Sequence, residues 1–156
     1  MNDTPETAQV LIRPPLAWAL AVIAGLVLDW LAPLPFLPDA WPAGLLGAVV
    51  FVLALVLAIW AIDTMTRAGT NVPTNRPTTA IVESGPYRFT RNPIYMGMFG
   101  GLIGLGIAFD NPWLLLMMAL FALVIRYGVV AREEAYLERS FGDAYSGYRR
   151  RVRRWL

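Results

Sequence analysis

Residues 85–97, "GPYRFTRNPIYMG", form the junction at which a polar part of the chain meets an apolar part. The junction contains Arg88, Arg91 and the pair Asn92-Pro93, and it continues into the glycine-rich run "GMFGGLIGLG". Asparagine is favoured before the first turn of a helix because it can accept hydrogen bonds from free backbone amides, and proline is favoured in that turn because it has no donor to lose. The stretch therefore predicts a helix that begins at Asn92 and Pro93 and runs into an apolar environment.

The composition indicates that this environment is a membrane. Of 156 residues, 57% are hydrophobic and 15% are charged, far from the balance of a soluble domain. The chain has no cysteine, no histidine and no lysine, so disulfides, Cys/His metal sites, thiol nucleophiles and Schiff-base chemistry are all excluded. We predict no metal site and no nucleic-acid partner.

Four apolar stretches are long enough, or nearly so, to cross a hydrocarbon core that requires about 20 helical residues. They cover residues 16–32, 42–62, 93–109 and 113–130. The two loops on one side, residues 33–41 and 110–112, contain no arginine, and this asymmetry predicts that both termini are cytoplasmic.

The predicted fold is an all-α integral membrane protein with four transmembrane helices in two hairpins and a C-terminal interfacial helix. It forms a single membrane domain over residues 1–156, in which residues 16–62 are an N-terminal hairpin. The interfacial helix is predicted from residues 141–156, "FGDAYSGYRRRVRRWL", where aromatic and aliphatic residues recur at helical spacing among arginines that can hold anionic lipid headgroups.

Two charged groups are predicted to meet at the cytoplasmic side. The start of the third helix carries positive dipole and two arginines, and it is suited to an anion. Because the third and fourth helices are antiparallel, Glu133 and Glu134 should lie about level with Asn92. An anion-binding helix start that faces two carboxylates is complementary to a zwitterion such as an α-amino acid.

Each of these features also has a purely structural interpretation. Arg88 and Arg91 could anchor the chain at lipid headgroups, and they could pair with Glu133 and Glu134 in a salt-bridge cluster. The glycines at four-residue spacing are typical of close helix packing, although Gly97 lies near enough to the site to favour a ligand. Tyr95 could contact a cationic centre or serve as an interfacial anchor.

The two motifs together resemble a known family. "GPYRFTRNPIYMG", followed after one hydrophobic hairpin by "REEAYLERSFGDAYSGYRRRV", is similar to the isoprenylcysteine carboxyl methyltransferase and phospholipid methyltransferase superfamily. The resemblance covers residues 67–156 as a methyltransferase-like core. It implies an S-adenosylmethionine pocket, formed by Arg91, Asn92, Pro93, Tyr95, Gly97, Glu133 and Glu134, with Gly69 and Thr70 of "RAGT" as further candidates.

The resemblance implies a methyltransferase in the bacterial inner membrane that acts on a lipid or hydrophobic small molecule. The acceptor atom stays open among oxygen, nitrogen and sulfur, and no general base is predicted. Two alternatives stand beside it: an NADPH-dependent membrane reductase of the related sterol reductase type, and a small multi-span transporter. Asp29 is the acidic residue on which a transporter would depend.

Overall fold

The computed structural model describes residues 7–72 and 76–156; the remainder of the predicted domain, residues 1–6 and 73–75, lies outside it. All regular structure in the described residues is helical. A short 3₁₀ turn, Gly85–Arg88, precedes α3, and a π-helical turn, Ile125–Val130, joins α4 to α5. The α-helices are α1 (Pro14–Leu31), α2 (Ala43–Arg67), α3 (Pro93–Ala108), α4 (Pro112–Val124), α5 (Ala131–Phe141) and α6 (Asp143–Arg151).

Three helical segments in the described chain are long and apolar enough to cross a membrane, and they identify a multi-pass membrane protein. They are α1, α2 and the continuous helix Pro112–Phe141, whose apolar part ends at Val130. The fourth predicted span, α3, is apolar but has only 16 residues. Within the helix Pro112–Phe141, residues 112–130 are the membrane-crossing part, because the charged residues Arg132, Glu133 and Glu134 follow closely after Val130.

The helices pack in an order that differs from their order along the chain. α2 packs most extensively against α3, while α1 packs against α4. α3 and α4 also contact each other around the turn at Asn111, as expected for the second hairpin. The first two helices are consecutive, yet each finds its main partner in the other half of the chain.

Glycine explains how closely α2 and α3 approach. A Cβ at Gly104 would lie 2.6 Å from the backbone nitrogen of Phe51, and one at Gly47 would lie 2.2 Å from that of Ala108. Side chains at either position would force the helices apart, because the atoms that they would meet are backbone. The glycines therefore serve the close packing expected of small residues at four-residue spacing.

The π-helical turn is coupled to the N-terminal segment. Its wider hydrogen-bonding pattern leaves room for outside partners, and the backbone N–H of Leu11 donates to the carbonyl of Gly128 at 3.1 Å. The Arg132 guanidinium donates to the carbonyl of Gln9 at 3.1 Å. Two bonds thus hold the segment before α1 against the start of α5.

The predicted C-terminal interfacial helix differs from the structure. Gly142, at φ +50°, separates α5 from α6, and α6 ends at Arg151, so that residues 152–156 continue as a non-helical strap. The apolar side of α6 faces inward, where Tyr145, Tyr148 and Val152 form a buried cluster with neighbours that include Ile81. The amphipathic pattern predicted a helix correctly, but its apolar face covers protein.

Candidate functional site

A cavity of about 150 Å³ lies where the start of α3, the start of α5, α6 and the segments 71–72 and 76–82 converge. Its lining includes six of the predicted residues, namely Arg91, Asn92, Pro93, Tyr95, Glu133 and Glu134. The two motifs, separated by a hairpin in sequence, thus meet in one site. Their predicted juxtaposition is confirmed.

Of the two glutamates that line the cavity, Glu133 has no cationic partner within the described chain. Its Oε1 accepts a hydrogen bond of 2.8 Å from the hydroxyl of Tyr95, one turn into α3. Burial raises the pKa of Glu133 to about 7, and the neighbouring charge of Glu134 adds to this effect while the hydrogen bond from Tyr95 opposes it. A half-buried carboxyl group on the cavity wall is therefore poised to gain or lose a proton near neutral pH.

Glu134 has the opposite surroundings, although it is the next residue. It forms an ion pair of 3.0 Å with Arg91 and a bidentate pair of 2.6 and 2.8 Å with Arg154. Burial raises the pKa of Glu134, while Arg91 is the strongest of the cations that oppose this rise. Glu134 therefore joins the start of α3 to the C-terminal strap.

Arg91 is not fully satisfied by this pair. Its side chain is 8% exposed, and both Nε and Nη1 are buried without a hydrogen-bond partner in the described residues. Buried donors that lack acceptors cost free energy, about 1–3 kcal/mol each. An anion that reaches Arg91 would recover that cost, so the residue retains capacity for a ligand.

Tyrosines form much of the remaining wall. The hydroxyl of Tyr148 donates to the carbonyl of Tyr87 at 2.7 Å, and the hydroxyl of Tyr136 accepts from the backbone N–H of Thr78 at 3.3 Å. Burial raises the pKa of Tyr145 to about 12 and raises those of Tyr87 and Tyr148 as well. All three phenols are neutral near pH 7.

Asn92 is the N-cap residue of α3 and Pro93 its first residue, as predicted, but the predicted hydrogen bond from a helix amide to the Asn92 side chain is absent. Its side chain makes no cap bond to α3; instead Nδ2 donates to the carbonyl of Arg154 at 2.9 Å. The same carbonyl accepts from Thr90 Oγ1 at 3.1 Å, and the backbone N–H of Arg91 donates to the carbonyl of Arg153 at 2.9 Å. The strap supplies the acceptors at this end of α3, and Asn92 holds the strap.

Three predicted residues lie outside the cavity lining. Gly97 faces α2, where an added Cβ would lie 2.8 Å from the carbonyl oxygen of Ala54. Thr70 is buried and accepts from the backbone N–H of Thr79 at 3.1 Å, while the carbonyl of Gly69 accepts from the Thr79 hydroxyl. Gly69 and Thr70 shape the loop that borders the cavity, and the role of all three toward a cofactor stays a prediction.

Arg154 was missed by the sequence analysis. It lies among five arginines of the tail, and its pairing with Glu134 depends on the break at Gly142 and the extended backbone at Val152. A helical wheel drawn through the tail hides both features. Tyr145 and Tyr148, three residues apart on α6, were a detectable signal, because aromatic hydroxyls that recur on one helix face indicate polar contacts within a core.

Comparison with known proteins gives a family match over most of the chain. A sequence model described as phospholipid methyltransferase matches residues 43–144, which run from the start of α2 into α6. The match contains the cavity residues of α3 and α5 but not the strap. No solved structure matches the chain significantly.

Three curated proteins are similar to parts of this chain. An uncharacterized protein of Haemophilus influenzae is 40% identical over 63 residues, which are 40% of this chain and all of the relative. The nickel-cobalt-cadmium resistance protein NccN of Alcaligenes xylosoxydans xylosoxydans is 32% identical over 77 residues, 49% of this chain and 36% of the relative. The protein-S-isoprenylcysteine O-methyltransferase of Schizosaccharomyces pombe is 33% identical over 72 residues, 46% of this chain and 30% of the relative. The matches thus span about a third of the two relatives that carry functional names.

Proposed function

Because the chain belongs to the phospholipid methyltransferase family, we propose that it is an S-adenosylmethionine-dependent methyltransferase acting on a lipid-like or hydrophobic acceptor. The observation that carries the proposal is the charge pattern of the cavity. Glu133 and Arg91 line the same cavity with opposite charges, and each retains bonding capacity. Such a pair suits an α-amino acid headgroup.

The residues present fit this cofactor. Glu133 would hold the ammonium group, since it has no competing cation in residues 7–72 and 76–156. Arg91 would hold the carboxylate through its unpaired nitrogens. Tyr95 sets the orientation of Glu133 by donating to it. When bound, S-adenosylmethionine supplies an electrophilic sulfonium methyl group.

The chain contributes positioning and exclusion of water. Buried tyrosines line the cavity, so that charges inside it interact more strongly than they would in water. An amine acceptor must lose a proton on methylation, and a carboxylate or thiolate need not. At neutral pH Glu133 is partly ionised and could accept such a proton only when it does not hold the ammonium group.

We place the cavity at the cytoplasmic side of a bacterial inner membrane, with both termini on that side. The arginine-free loops before α2 and before α4 support this orientation. Asp29, on which a transporter would depend, lies in the last turn of α1, near the arginine-free loop. The acceptor would approach from the membrane, and the membrane lipids are its immediate surroundings.

The first test is calorimetric titration of the detergent-purified protein with S-adenosylhomocysteine and, separately, with NADPH. We expect the first ligand to bind and the second not to. Glu133→Gln should lower the affinity for S-adenosylhomocysteine at least tenfold, since it removes a charge that pairs with the ammonium group. Glu138→Gln is the matched control on α5, because Glu138 is exposed and pairs with Arg149 away from the cavity.

Each outcome of the titration supports a different interpretation of the cavity. Unchanged binding in Glu133→Gln would remove that residue from the cofactor site. Binding of NADPH alone would favour a reductase over a methyltransferase. Absence of both would leave the family membership without the proposed activity.

A further inference from the structure

A second groove, separate from the cavity, lies between α3 and α4 beside the strap. Its volume is about 400 Å³, and it shares no lining residue with the cavity. The residues that line it include Met96, Phe99, Leu123, Arg126, Tyr127 and Trp155. We call it the α3–α4 groove.

Most of the groove has the chemistry of a lipid chain site. Met96 and Phe99 of α3 and Leu123 of α4 provide an apolar wall, and Leu123 is 55% exposed at the outer surface of the bundle. Both helices are apolar along their length, so this surface lies against hydrocarbon in a membrane. The acyl chains of the surrounding lipids are therefore the ligands nearest to this wall.

Arg126 gives the groove a positive charge, and an uncharged acyl chain cannot pair with it. It lies four residues before the apolar part of its helix ends, and it is half-buried. In the described part of the chain it makes no ion pair or hydrogen bond, and its guanidinium carbon lies 5.6 Å from the centre of the Tyr127 ring. A cation beside a membrane span is costly unless it pairs with an anion or reaches the headgroup level.

The nearby acidic group cannot serve as that anion. Glu134 is close enough for the charge of Arg126 to act on it, but its two oxygens already pair with Arg91 and Arg154. Arg126 therefore adds positive charge near a carboxylate that is already paired. The excess positive charge favours an anionic ligand at the mouth of the groove.

We propose that the α3–α4 groove binds one anionic phospholipid, with its phosphate on Arg126 and an acyl chain along Phe99 and Leu123. Guanidinium and phosphate form charge-assisted hydrogen bonds, which are stronger than bonds between neutral groups. The apolar wall accounts for a phospholipid rather than a free phosphate.

The lipid would also fasten the strap. Trp155 closes the groove at one side, and its ring centroid lies 5.5 Å from that of Phe99. The residue before it, Arg154, pairs with Glu134 in the cavity wall. A chain seated against Trp155 therefore stabilises the strap in the position in which Arg154 pairs with Glu134. Binding of this lipid does not require methyl transfer.

Native mass spectrometry of the full chain tests the proposal. The protein is equilibrated with equal amounts of phosphatidylglycerol and phosphatidylcholine that carry the same acyl chains. We expect the unmodified protein to retain one phosphatidylglycerol about tenfold over phosphatidylcholine, and we expect Arg126→Gln to abolish this preference. Arg88→Gln is the matched control, because Arg88 is an exposed arginine over an aromatic ring, 4.9 Å from the Phe89 centroid, outside the groove.

The apolar wall is tested by a second pair of variants. Leu123→Gln should weaken retention of both lipids, and Leu120→Gln, at 47% exposure on the same helix but outside the groove, should not. Helical content is checked by circular dichroism, and if Arg126→Gln does not fold, Arg126→Lys should keep the preference while the leucine pair decides. Equal retention of the two lipids by the unmodified protein, or equal losses in Arg126→Gln and Arg88→Gln, would mean a non-specific lipid shell and would overturn the proposal.

Discussion

Adjacent glutamates in this protein have different roles because their neighbours differ. Glu133 meets a tyrosine hydroxyl and the cavity, while Glu134 meets two guanidinium groups. Consecutive residues on a helix point about 100° apart, so one side chain can face the cavity while the next faces the strap. The pair is better understood as a cavity-lining carboxyl group beside a structural anchor.

Cofactor affinity should depend on pH through Glu133. Its carboxyl pKa is raised to about 7 by burial, so the group is largely neutral below that pH and cannot pair with an ammonium group. We expect the affinity for S-adenosylhomocysteine to rise by up to about tenfold per pH unit between pH 5.5 and 7, and then to level off. Calorimetry across that range measures it.

Two variants test whether Glu133 causes the pH dependence of cofactor affinity. Glu133→Gln should remove the pH dependence. Tyr95→Phe should move the midpoint to higher pH, because the hydrogen bond that it deletes favours the charged carboxylate.

Folding stability should change in the opposite direction from affinity: a raised carboxyl pKa stabilises the fold most at pH values below about 4.5, and this contribution is lost as the pH rises to about 7. A flat affinity profile in the unmodified protein would contradict the role of Glu133.

Glu134 should matter for the strap and for stability. Glu134→Gln removes the partner of two arginines, one of which is 8% exposed in its side chain, so we expect a loss of about 3 kcal/mol in free energy of unfolding. Carboxypeptidase should also release Trp155 and Leu156 faster. Glu138→Gln, which breaks an exposed pair, should cost about 0.5 kcal/mol or less. Equal effects of the two substitutions would show that the strap is not held by Glu134.

At the scale of elements, the π-helical turn and the glycine-lined contact between α2 and α3 position the site. The π turn interrupts the helix that carries Glu133 and Glu134, and the extra residue in its turn rotates α5 relative to α4. The contact with α2 holds α3, whose first turn carries Tyr95. Neither element touches the cavity centre, yet both determine which side chains reach it.

Gly104→Ala should destabilise the protein although alanine is the better helix former. The added Cβ would meet the backbone of Phe51 at 2.6 Å and that of Gly47 at 2.9 Å, so α2 and α3 must separate, at a cost of about 1–3 kcal/mol. Gly44→Ala is the control, because it lies on α2 with nothing within 4 Å of the added atom. We expect a lower thermal midpoint for the first variant and an unchanged or higher one for the second. A rise in both would show that the contact between α2 and α3 is loose.

On the scale of the whole molecule, all cavity residues lie at one end of the helical bundle. The opposite end is closed by Asp110, which accepts hydrogen bonds from the backbone of Phe36 and Leu37, and by Asn111, which donates to the carbonyl of Gly25. These polar groups thus form hydrogen bonds with one another at that end. The cavity lies at the other end.

The proposed orientation can be tested with cysteine labelling, since the chain contains no cysteine. A membrane-impermeant maleimide added to spheroplasts should label Asp39→Cys, in the loop before α2, and should label Ser140→Cys only after lysis. Both positions are exposed, so access to the reagent decides the result. Labelling of Ser140→Cys in intact spheroplasts would reverse the orientation and place the cavity on the outside.

The sequence by itself determined the class of fold and the meeting of the two motifs at one cavity. Long apolar runs determine membrane helices because backbone groups must be satisfied within a segment in hydrocarbon, and antiparallel helices of similar length bring Asn92 level with Glu133. It was therefore predictable that α1, α2 and the helix that begins at Pro112 are membrane helices. It was also predictable that the two separated motifs meet. The family match supports the same assignment.

Only the tertiary structure decided which helices pack together and which charges pair. Hydrophobic periodicity does not distinguish partners when α1 to α4 are each apolar around most of their surface, so α2 could pair with α3 across the chain rather than with α1. The roles of Asn92, Glu134 and Arg154 depend on a strap whose path is determined by one glycine at positive φ and by backbone acceptors more than 60 residues away from their donors. Such long-range hydrogen bonds leave no local signal in the sequence, because each partner is ordinary in its own segment.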